Sequence, residues 1–199
     1  MIWEISVLRY IQMGGWVMFP LIFLSFVLAY LIVERFMFFS ALGTNDLSAD
    51  ELIEHLERKT LPGKNRKGIY TVFLERLVSC RTTYKRIDRL IIHEVHKNIL
   101  PLFSKNMQSI GALTAAAPLL GLLGTVSGMV TTFNVMNISG TGNPKAMSAG
   151  ISEALITTQY GLVVAIIGVY ISMILARRVK RYETMIDEIC IHLIRKFQL

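Results

Sequence analysis

The sequence predicts an all-α membrane protein with three transmembrane helices and a helical cytoplasmic subdomain. Of its 199 residues, 53% are hydrophobic and only 18% are charged, whereas soluble domains carry about 25% charged residues. Charged residues are missing from three stretches, 10–33, 106–144 and 154–176. Each stretch reaches the ~20 residues that a membrane-spanning helix needs. An ordinary soluble domain, a disordered chain and a disulfide scaffold are therefore excluded.

The basic residues indicate how the chain is oriented in the membrane. The net charge is +7, and of the 21 Lys and Arg residues 12 lie in 39–105 and 6 in 177–199. By the positive-inside rule these two segments are cytoplasmic, so the N-terminus and the loop around Lys145 are outside. Because orientation explains the positive charge, no nucleic-acid partner is predicted. Cys80 and Cys190 fall in the cytoplasmic segments, where thiols stay reduced and inert.

The N-terminal part is predicted to contain the first span. Residues 1–15 form an external segment that ends at two glycines, and the first transmembrane helix follows at 16–38. Trp16 is an interfacial anchor, and Pro20 lies in the first turn, where a missing N–H is tolerated. The apolar run exceeds the ~7–15 residues of a signal-peptide core, so a cleavable signal is not predicted.

The polar segment 39–105 is predicted to fold as the cytoplasmic helical subdomain. Ser48 and Glu51 fit a capping box, which predicts a short helix ending near Thr60. A loop follows at 61–68, and beyond it apolar residues recur at helical spacing.

The stretch 106–144 is longer than one membrane crossing needs. It cannot cross twice, because two crossings would put the basic tail outside. A single crossing is therefore predicted, with the second helix extending below the membrane from before Pro101. The predicted order is a second transmembrane helix (106–136), an external turn rich in Gly (137–148), a third transmembrane helix (149–176) and an amphipathic helical tail (177–199).

Small and hydroxylated residues form a stripe along each of the last two spans, at steps of three and four. The stripes are Thr114, Pro118, Gly121, Thr125, Gly128 and Thr132, then Ala154, Thr158, Gly161, Ala165, Gly168 and Ser172. One interpretation is helix packing, because small residues let membrane helices approach closely. The other is a hydrated path lined by threonine hydroxyls, and the pattern leaves both open. Packing is favoured for Gly121, Gly128, Gly161, Ala165 and Gly168.

Two threonines and one carboxylate are the candidate functional residues. Thr125 and Thr158 are symmetric about the turn, so in an antiparallel pair they lie at similar depth. Glu153 is the only acidic residue between Glu94 and Glu183, and at ~1.5 Å per residue it lies roughly 7–8 Å nearer the outer face than Thr158. A membrane carboxylate indicates function because it is costly there. The alternative is a helix-start carboxylate that the helix dipole favours.

Other kinds of site find no support. GLLGTVSG (121–128) is glycine-rich, but no Lys occurs between positions 105 and 145, which excludes a Walker-type phosphate loop. His93 and His96 lie one turn apart near Glu94, but without the spacing of a zinc site, so no metal is predicted. No catalytic triad ordering and no cofactor fingerprint is present, so neither an enzyme nor a cofactor is predicted.

Two motifs, APLLGLLGTVSGMVTTF (117–133) and ISEALITTQYGLVVAI (151–166), resemble the ExbB/TolQ/MotA family of proton-channel stator proteins. Their order, separation and chemistry make the match specific. The motifs cover about a sixth of the chain, and the three-span layout extends the similarity to nearly all of it. Three spans and a compact size are closer to ExbB or TolQ than to MotA.

The resemblance implies a homopentamer in the bacterial inner membrane, with a periplasmic N-terminus, a cytoplasmic C-terminus and lipid around it. The last two spans would line a central pore that holds a dimer of an ExbD-like or TolR-like single-span partner. Such an assembly couples the proton-motive force to mechanical work, and the leading expectation is that it energises TonB-dependent outer-membrane transport through a TonB-like transducer. TolQ-like envelope maintenance or a gliding-type motor is the alternative.

The resemblance also implies which residues line the pore. The Thr of the GLxGTV pattern corresponds to Thr125, the Glu of the SEAL-type motif to Glu153, and the second Thr of its TT pair to Thr158. Thr132 continues the stripe of the second span. Gln159 replaces a usually small or apolar residue and adds a hydrogen-bonding group near the pore.

The chain departs from the family at 165–167, where Ala-Ile-Ile stands for the usual Ala-Ile-Pro.

The predicted span interiors contain no Lys, Asp or His. Because Glu153 lies too near the outer end and threonine hydroxyls do not titrate, a mid-membrane carboxylate must come from another chain. We therefore expect an obligate partner whose single transmembrane helix bears an Asp at the level of Thr125 and Thr158. A purely structural scaffold is the competing hypothesis, and it predicts that all three residues tolerate apolar replacement.

Overall fold

The computed structural model describes residues 14–42, 51, 55, 68–83, 89–139 and 144–196. The elements within these residues are α-helices: α1 (Met18–Leu42), α2 (Ile69–Thr83), α3 (Arg89–Ser104), α4 (Met107–Ser139) and α5 (Pro144–Lys196). Three helical stretches, Met18–Leu42, Leu90–Asn137 and Met147–Arg195, are long and apolar enough to cross a membrane. The prediction of an α-helical chain with three candidate spans is confirmed.

The helix ends differ from the predicted spans. α1 begins at Met18 rather than at residue 16, because residues 14–17 form a turn. α4 ends at Ser139 and α5 begins at Pro144, so both helices extend into the predicted turn at 137–148. Proline suits the first residue of a helix, where its fixed φ is helical and its missing N–H is not needed. The charge-free part of α5 ends at Ala176, which is where the third transmembrane helix is predicted to end.

The helical stretch that contains the second candidate span begins at Leu90, before Pro101 as predicted, but it is interrupted. Pro101 lies inside α3, and a break follows at Lys105 and Asn106. Asn106 has φ 62°, the left-handed conformation that ends helices and that asparagine tolerates. Its Nδ2 donates a hydrogen bond of 2.8 Å to Oε2 of Glu34. The break is therefore held by a side-chain contact to α1.

The chain divides into two compact units. The first contains Met1–Ile32 and Ser109–Ser172, and the second contains Val33–Gln108 and Met173–Leu199. The loop predicted at 61–68, apart from Gly68, and most of the short helix predicted before it lie outside the described residues. Glu51 and His55 are described, and both are helical.

The first unit packs the beginning of α1 against α4 and α5. Its core is made of Leu24, Ala117 and Ala165. On α1, Leu21, Leu24 and Leu28 are buried, whereas the opposite face carries exposed large side chains at helical spacing: Phe19, Phe23, Phe26 and Tyr30. An apolar surface of this extent is unsuited to water and fits contact with lipid or with other membrane chains.

The second unit has a conventional apolar core. α2 packs against α3, and the tail part of α5 buries Ile186, Ile189 and Leu193, as expected for an amphipathic helix. The ring of Tyr182 stacks on that of Phe39, with centroids 5.4 Å apart.

A buried arginine marks the end of the apolar part of α1. The side chain of Arg35 is only 2% exposed. Its Nη1 donates to the carbonyl of Leu102 at 3.2 Å, and its guanidinium lies over the ring of Phe38 at 5.1 Å. Arg35 thus ties α1 to α3 within the second unit, which the sequence alone did not indicate.

Candidate functional site

The two last spans form an antiparallel pair whose contact surface is made of small residues. A β-carbon on Gly128 would lie 2.9 Å from the Cβ of Ala154. A β-carbon on Gly161 would lie 2.7 Å from the carbonyl oxygen of Ala117. Because these distances are shorter than carbon atoms normally allow, the approach of the helices depends on glycine at both positions.

The facing residues fix the register of α4 and α5. The pairs are Thr114 with Gly168, Gly121 with Gly161, Gly124 with Thr157, Gly128 with Ala154, and Thr132 with Gly150. The two residue numbers in each pair add to 281 or 282. The numbers of Thr125 and Thr158 add to 283, so this pair departs from the register by about one residue, or ~1.5 Å along the helix axis. They lie at nearly the same level of the helix pair.

Burial separates two groups of threonines. Thr114, Thr132 and Thr157 are 1–4% exposed and packed between α4 and α5. Thr125 and Thr158 are half-buried, at the edge of this surface. Thr132, expected along the pore, thus lies against Gly150 of its own chain. In the pair Thr157–Thr158, the first member packs and the second is partly accessible.

The threonine hydroxyls donate to their own helices. Thr125 Oγ1 donates to the carbonyl of Leu122 at 2.6 Å, and Thr158 Oγ1 donates to the carbonyl of Ala154 at 3.0 Å. Such bonds are common for threonine within helices. They use the single donor of each hydroxyl and leave its oxygen lone pairs to accept hydrogen bonds. The partly accessible side of the helix pair therefore offers acceptors at one level.

Glu153 is half-buried and lies well inside α5. The helix begins at Pro144, nine residues earlier, and its first turn contains no acidic residue. The helix-dipole effect falls off within the first turn. Glu153 therefore does not lie in the first turn of α5, and a functional role for its carboxylate stays a prediction.

The carboxylate of Glu153 contacts the turn that precedes α1. Oε1 of Glu153 lies against Gly15, at the place where a β-carbon would be. The next residue, Trp16, donates a hydrogen bond of 3.0 Å from Nε1 to Oγ of Ser127 on α4. Sequence reasoning missed both contacts, since neither the glycine pair nor the tryptophan carries a pattern that specifies them. Gln159 is exposed on α5 and is available to another chain.

The histidine pair belongs to the second unit and not to this site. Nε2 of His96 lies 2.6 Å from Oδ1 of Asp187, and the His93 ring is 6.4 Å from the His96 ring. Within the part of the chain that the structure describes, no group of three His, Cys, Asp or Glu residues could hold a metal ion.

Burial, and then the nearby Asp187 charge, raise the pKa of Cys190 to about 12.

Comparison with known proteins agrees with the motifs. Residues 65–188 match the MotA/TolQ/ExbB proton channel family. Biopolymer transport protein ExbB-like 3 of Synechocystis sp. is 35% identical over 164 residues, covering 77% of this chain and 77% of that protein. ExbB-like 1 of the same organism is 32% identical, covering 81% of this chain and 67% of that protein. Biopolymer transport protein ExbB of Aquifex aeolicus is 36% identical over 89 residues, 45% and 59% of the two chains.

Proposed function

The chain belongs to the MotA/TolQ/ExbB proton channel family, and we propose that it couples the proton-motive force to mechanical work in a bacterial inner membrane. The family is one of channels, so the chain is a membrane proton-channel subunit of the ExbB kind and not an enzyme. The driven process we propose is TonB-dependent outer-membrane transport. The names of the relatives, biopolymer transport proteins, favour this process over the TolQ-like or gliding-type alternative.

One observation carries the proposal: a single carboxylate stands within α5, at the outer end of its charge-free apolar part. Glu153 stands nine residues inside α5, and the next acidic residues along the chain are Glu94 and Glu183. Placing an ionisable group in an apolar environment is costly and marks proton and ion pathways. We assign to Glu153 the exchange of protons at the outer part of the path.

The proposed path continues inward from Glu153 to the two threonines. Thr125 and Thr158 share one level, and their oxygens accept hydrogen bonds while their protons are bound to the backbone. Acceptor oxygens suit water molecules and hydrated protons, which donate hydrogen bonds. Exposed Gln159 is a further polar group for this path or for a subunit contact. Thr132 contributes through packing, since it is buried against Gly150.

The proposed assembly is a homopentamer around a pore that α4 and α5 line. A threonine hydroxyl does not titrate at accessible pH, so the central part of the path needs a carboxylate from another chain. A dimer of an ExbD-like or TolR-like single-span protein supplies it, and a TonB-like transducer receives the work. The proposed topology has the N-terminus in the periplasm and the basic segments 39–105 and 177–199 in the cytoplasm.

The substitution Glu153→Ala tests this function. It removes the carboxylate and leaves the small-residue contacts between α4 and α5 intact. We expect normal amounts of protein in the membrane and loss of uptake that depends on the proton-motive force. Gly111→Ala is the matched control, since a β-carbon there meets no atom within 4 Å. Full uptake by the Glu153→Ala variant would contradict the proposed role and favour the purely structural scaffold.

A further inference from the structure

The turn at 14–17 contains a glycine that two independent features require. Gly15 has φ 65°, a left-handed conformation that residues with a side chain rarely adopt. A β-carbon at Gly15 would also overlap Oε1 of Glu153 and lie 2.8 Å from its Cδ. The bare backbone of Gly15 is thus the surface on which the carboxylate rests.

The same turn is anchored to the other helix of the pair. Trp16 Nε1 donates to Ser127 Oγ on α4, whereas Gly15 contacts Glu153 on α5. The numbers 127 and 153 add to 280, close to the register of the facing pairs. Both contacts therefore lie at one level, and the turn bridges α4 and α5 beside the carboxylate.

We propose that Gly15 and Trp16 are positioning residues for Glu153, which hold its carboxylate at a fixed place on the α4–α5 pair and control its access to the proton path. This inference rests on the proposed function of Glu153. A glutamate side chain has several rotatable bonds, and restricting them has an entropic cost that packing must offset. The turn restricts them by lying against the carboxylate, and the Trp16 hydrogen bond keeps the turn in place.

The arrangement also connects α1 to the path. The amide of Met18, the first residue of α1, donates to the carbonyl of Gly15 at 3.2 Å. A displacement of the start of α1 therefore moves the surface on which the Glu153 carboxylate rests. In this way the first span takes part in proton access although it contributes no titratable side chain to the path.

Labelling with dicyclohexylcarbodiimide tests the positioning directly. This apolar reagent modifies protonated carboxyl groups in membranes, and a peptide containing Glu153 is identified by mass because no other acidic residue lies between 94 and 183. We expect Gly15→Ala, in the full chain in native membranes, to raise the labelling rate of Glu153 roughly fivefold or more. Losing one stabilising contact increases the accessible fraction of the carboxylate by about this factor. Equal rates in the variant and the unsubstituted protein would overturn the proposal.

Gly14→Ala is the matched control. A β-carbon at Gly14 would lie 3.2 Å from Sδ and 3.3 Å from Cγ of Met18, a flexible side chain that can move. No contact to Glu153 is affected, so we expect the unsubstituted labelling rate. A rise equal to that of Gly15→Ala would mean that any disturbance of the turn frees the carboxylate, and it would overturn the specific role of Gly15.

Two further variants cover the case in which Gly15→Ala does not assemble. Trp16→Phe keeps an aromatic ring but removes the donor to Ser127, and Ser127→Ala removes the acceptor. Both should raise the labelling rate of Glu153 to a similar extent. A change of protein amount alone, with the labelling rate unchanged, would overturn the positioning role.

A double-variant cycle separates the contact from backbone strain. Gly15→Ala should lower the melting temperature less in a Glu153→Ala background, because the overlap with Oε1 is gone and only the strain at φ 65° remains. Equal losses in both backgrounds would overturn the contact. Failure of the proposed function is seen separately, as full uptake by Glu153→Ala, because labelling and melting do not depend on uptake.

Discussion

Gly161 of α5 lies against Gly121 of α4, where the backbones of the two helices come close together. A β-carbon on Gly161 would be 3.2 Å from the Cα of Gly121 and 2.7 Å from the carbonyl oxygen of Ala117. Both neighbours are backbone atoms, which cannot turn aside as a side chain can. The spacing of α4 and α5, and with it the level shared by Thr125 and Thr158, depends on this contact.

Gly161→Ala should therefore destabilise the protein. Overpacking a close contact typically costs about 1–3 kcal/mol, which outweighs the ~0.5–1 kcal/mol that alanine gains over glycine within a helix. Gly111→Ala on α4 meets no atom within 4 Å and should be neutral or stabilising. Thermal unfolding of the two purified variants checks the prediction, and equal melting temperatures would show that the helices do not pack as described.

Thr125→Val and Thr158→Val should each reduce proton-coupled activity without affecting assembly. Valine keeps the shape of threonine and removes the oxygen that accepts hydrogen bonds from the path. Loss of one hydrogen bond raises the barrier by about 1 kcal/mol, or roughly fivefold in rate. Thr131→Val is the control, because exposed Thr131 makes the same kind of backbone bond, to Ser127 at 3.0 Å, outside the proposed path. An equal loss in the control would remove the special role of the pair.

Cysteines introduced at 125 and 158 test their shared level. The register of α4 and α5 puts the two positions within about one residue of each other along the axis, or ~1.5 Å. A thiol reagent added from the pore side should then modify both at similar rates. A large difference in protection would contradict the register or the assignment of this side of the helices to the pore.

Cys190 should be inert in the folded protein. Burial, and then the Asp187 charge, raise its pKa from 9.0 to about 12, so the reactive thiolate is scarce at neutral pH. In a Cys80→Ala background, iodoacetamide at pH 8 should modify Cys190 only after unfolding. The Cys190 thiol ionises at lower pH in the unfolded chain than in the folded protein. The free energy of unfolding should therefore fall as the pH rises above 9.0. Cys190→Ala should remove that part of the pH dependence, and rapid modification of the native protein would contradict the burial.

The sequence was sufficient to predict the helical class, the three spans and the level of the two threonines. Runs without charge and symmetry about a turn are properties of the sequence, so the sequence alone is enough to match Thr125 with Thr158. The stripes at steps of three and four contained Pro118, Thr125 and Thr158, whereas the surface between α4 and α5 buries their neighbours Ala117, Gly124 and Thr157. Residues one position apart on a helix are nearly equivalent in a pattern of small side chains, and only the partner helix decides between them.

Contacts between distant segments were beyond the sequence. Nothing local to Gly15 or Glu153 indicates that they touch, and the position of Glu153 relative to the start of its helix depended on where α5 begins. The helix begins at Pro144, nine residues before Glu153. The break at Asn106 was missed because asparagine, although enriched in the left-handed conformation, is also found in many other backbone conformations.

Proton flux into liposomes tests the central claim most directly. The measurement compares this protein alone, the co-purified complex with its single-span partner, and the complex carrying Glu153→Ala. Since the path lacks a titratable group at its centre, we expect little flux from the protein alone, robust flux from the complex and loss of flux with Glu153→Ala. Robust flux from this chain alone, independent of Glu153, would contradict the account.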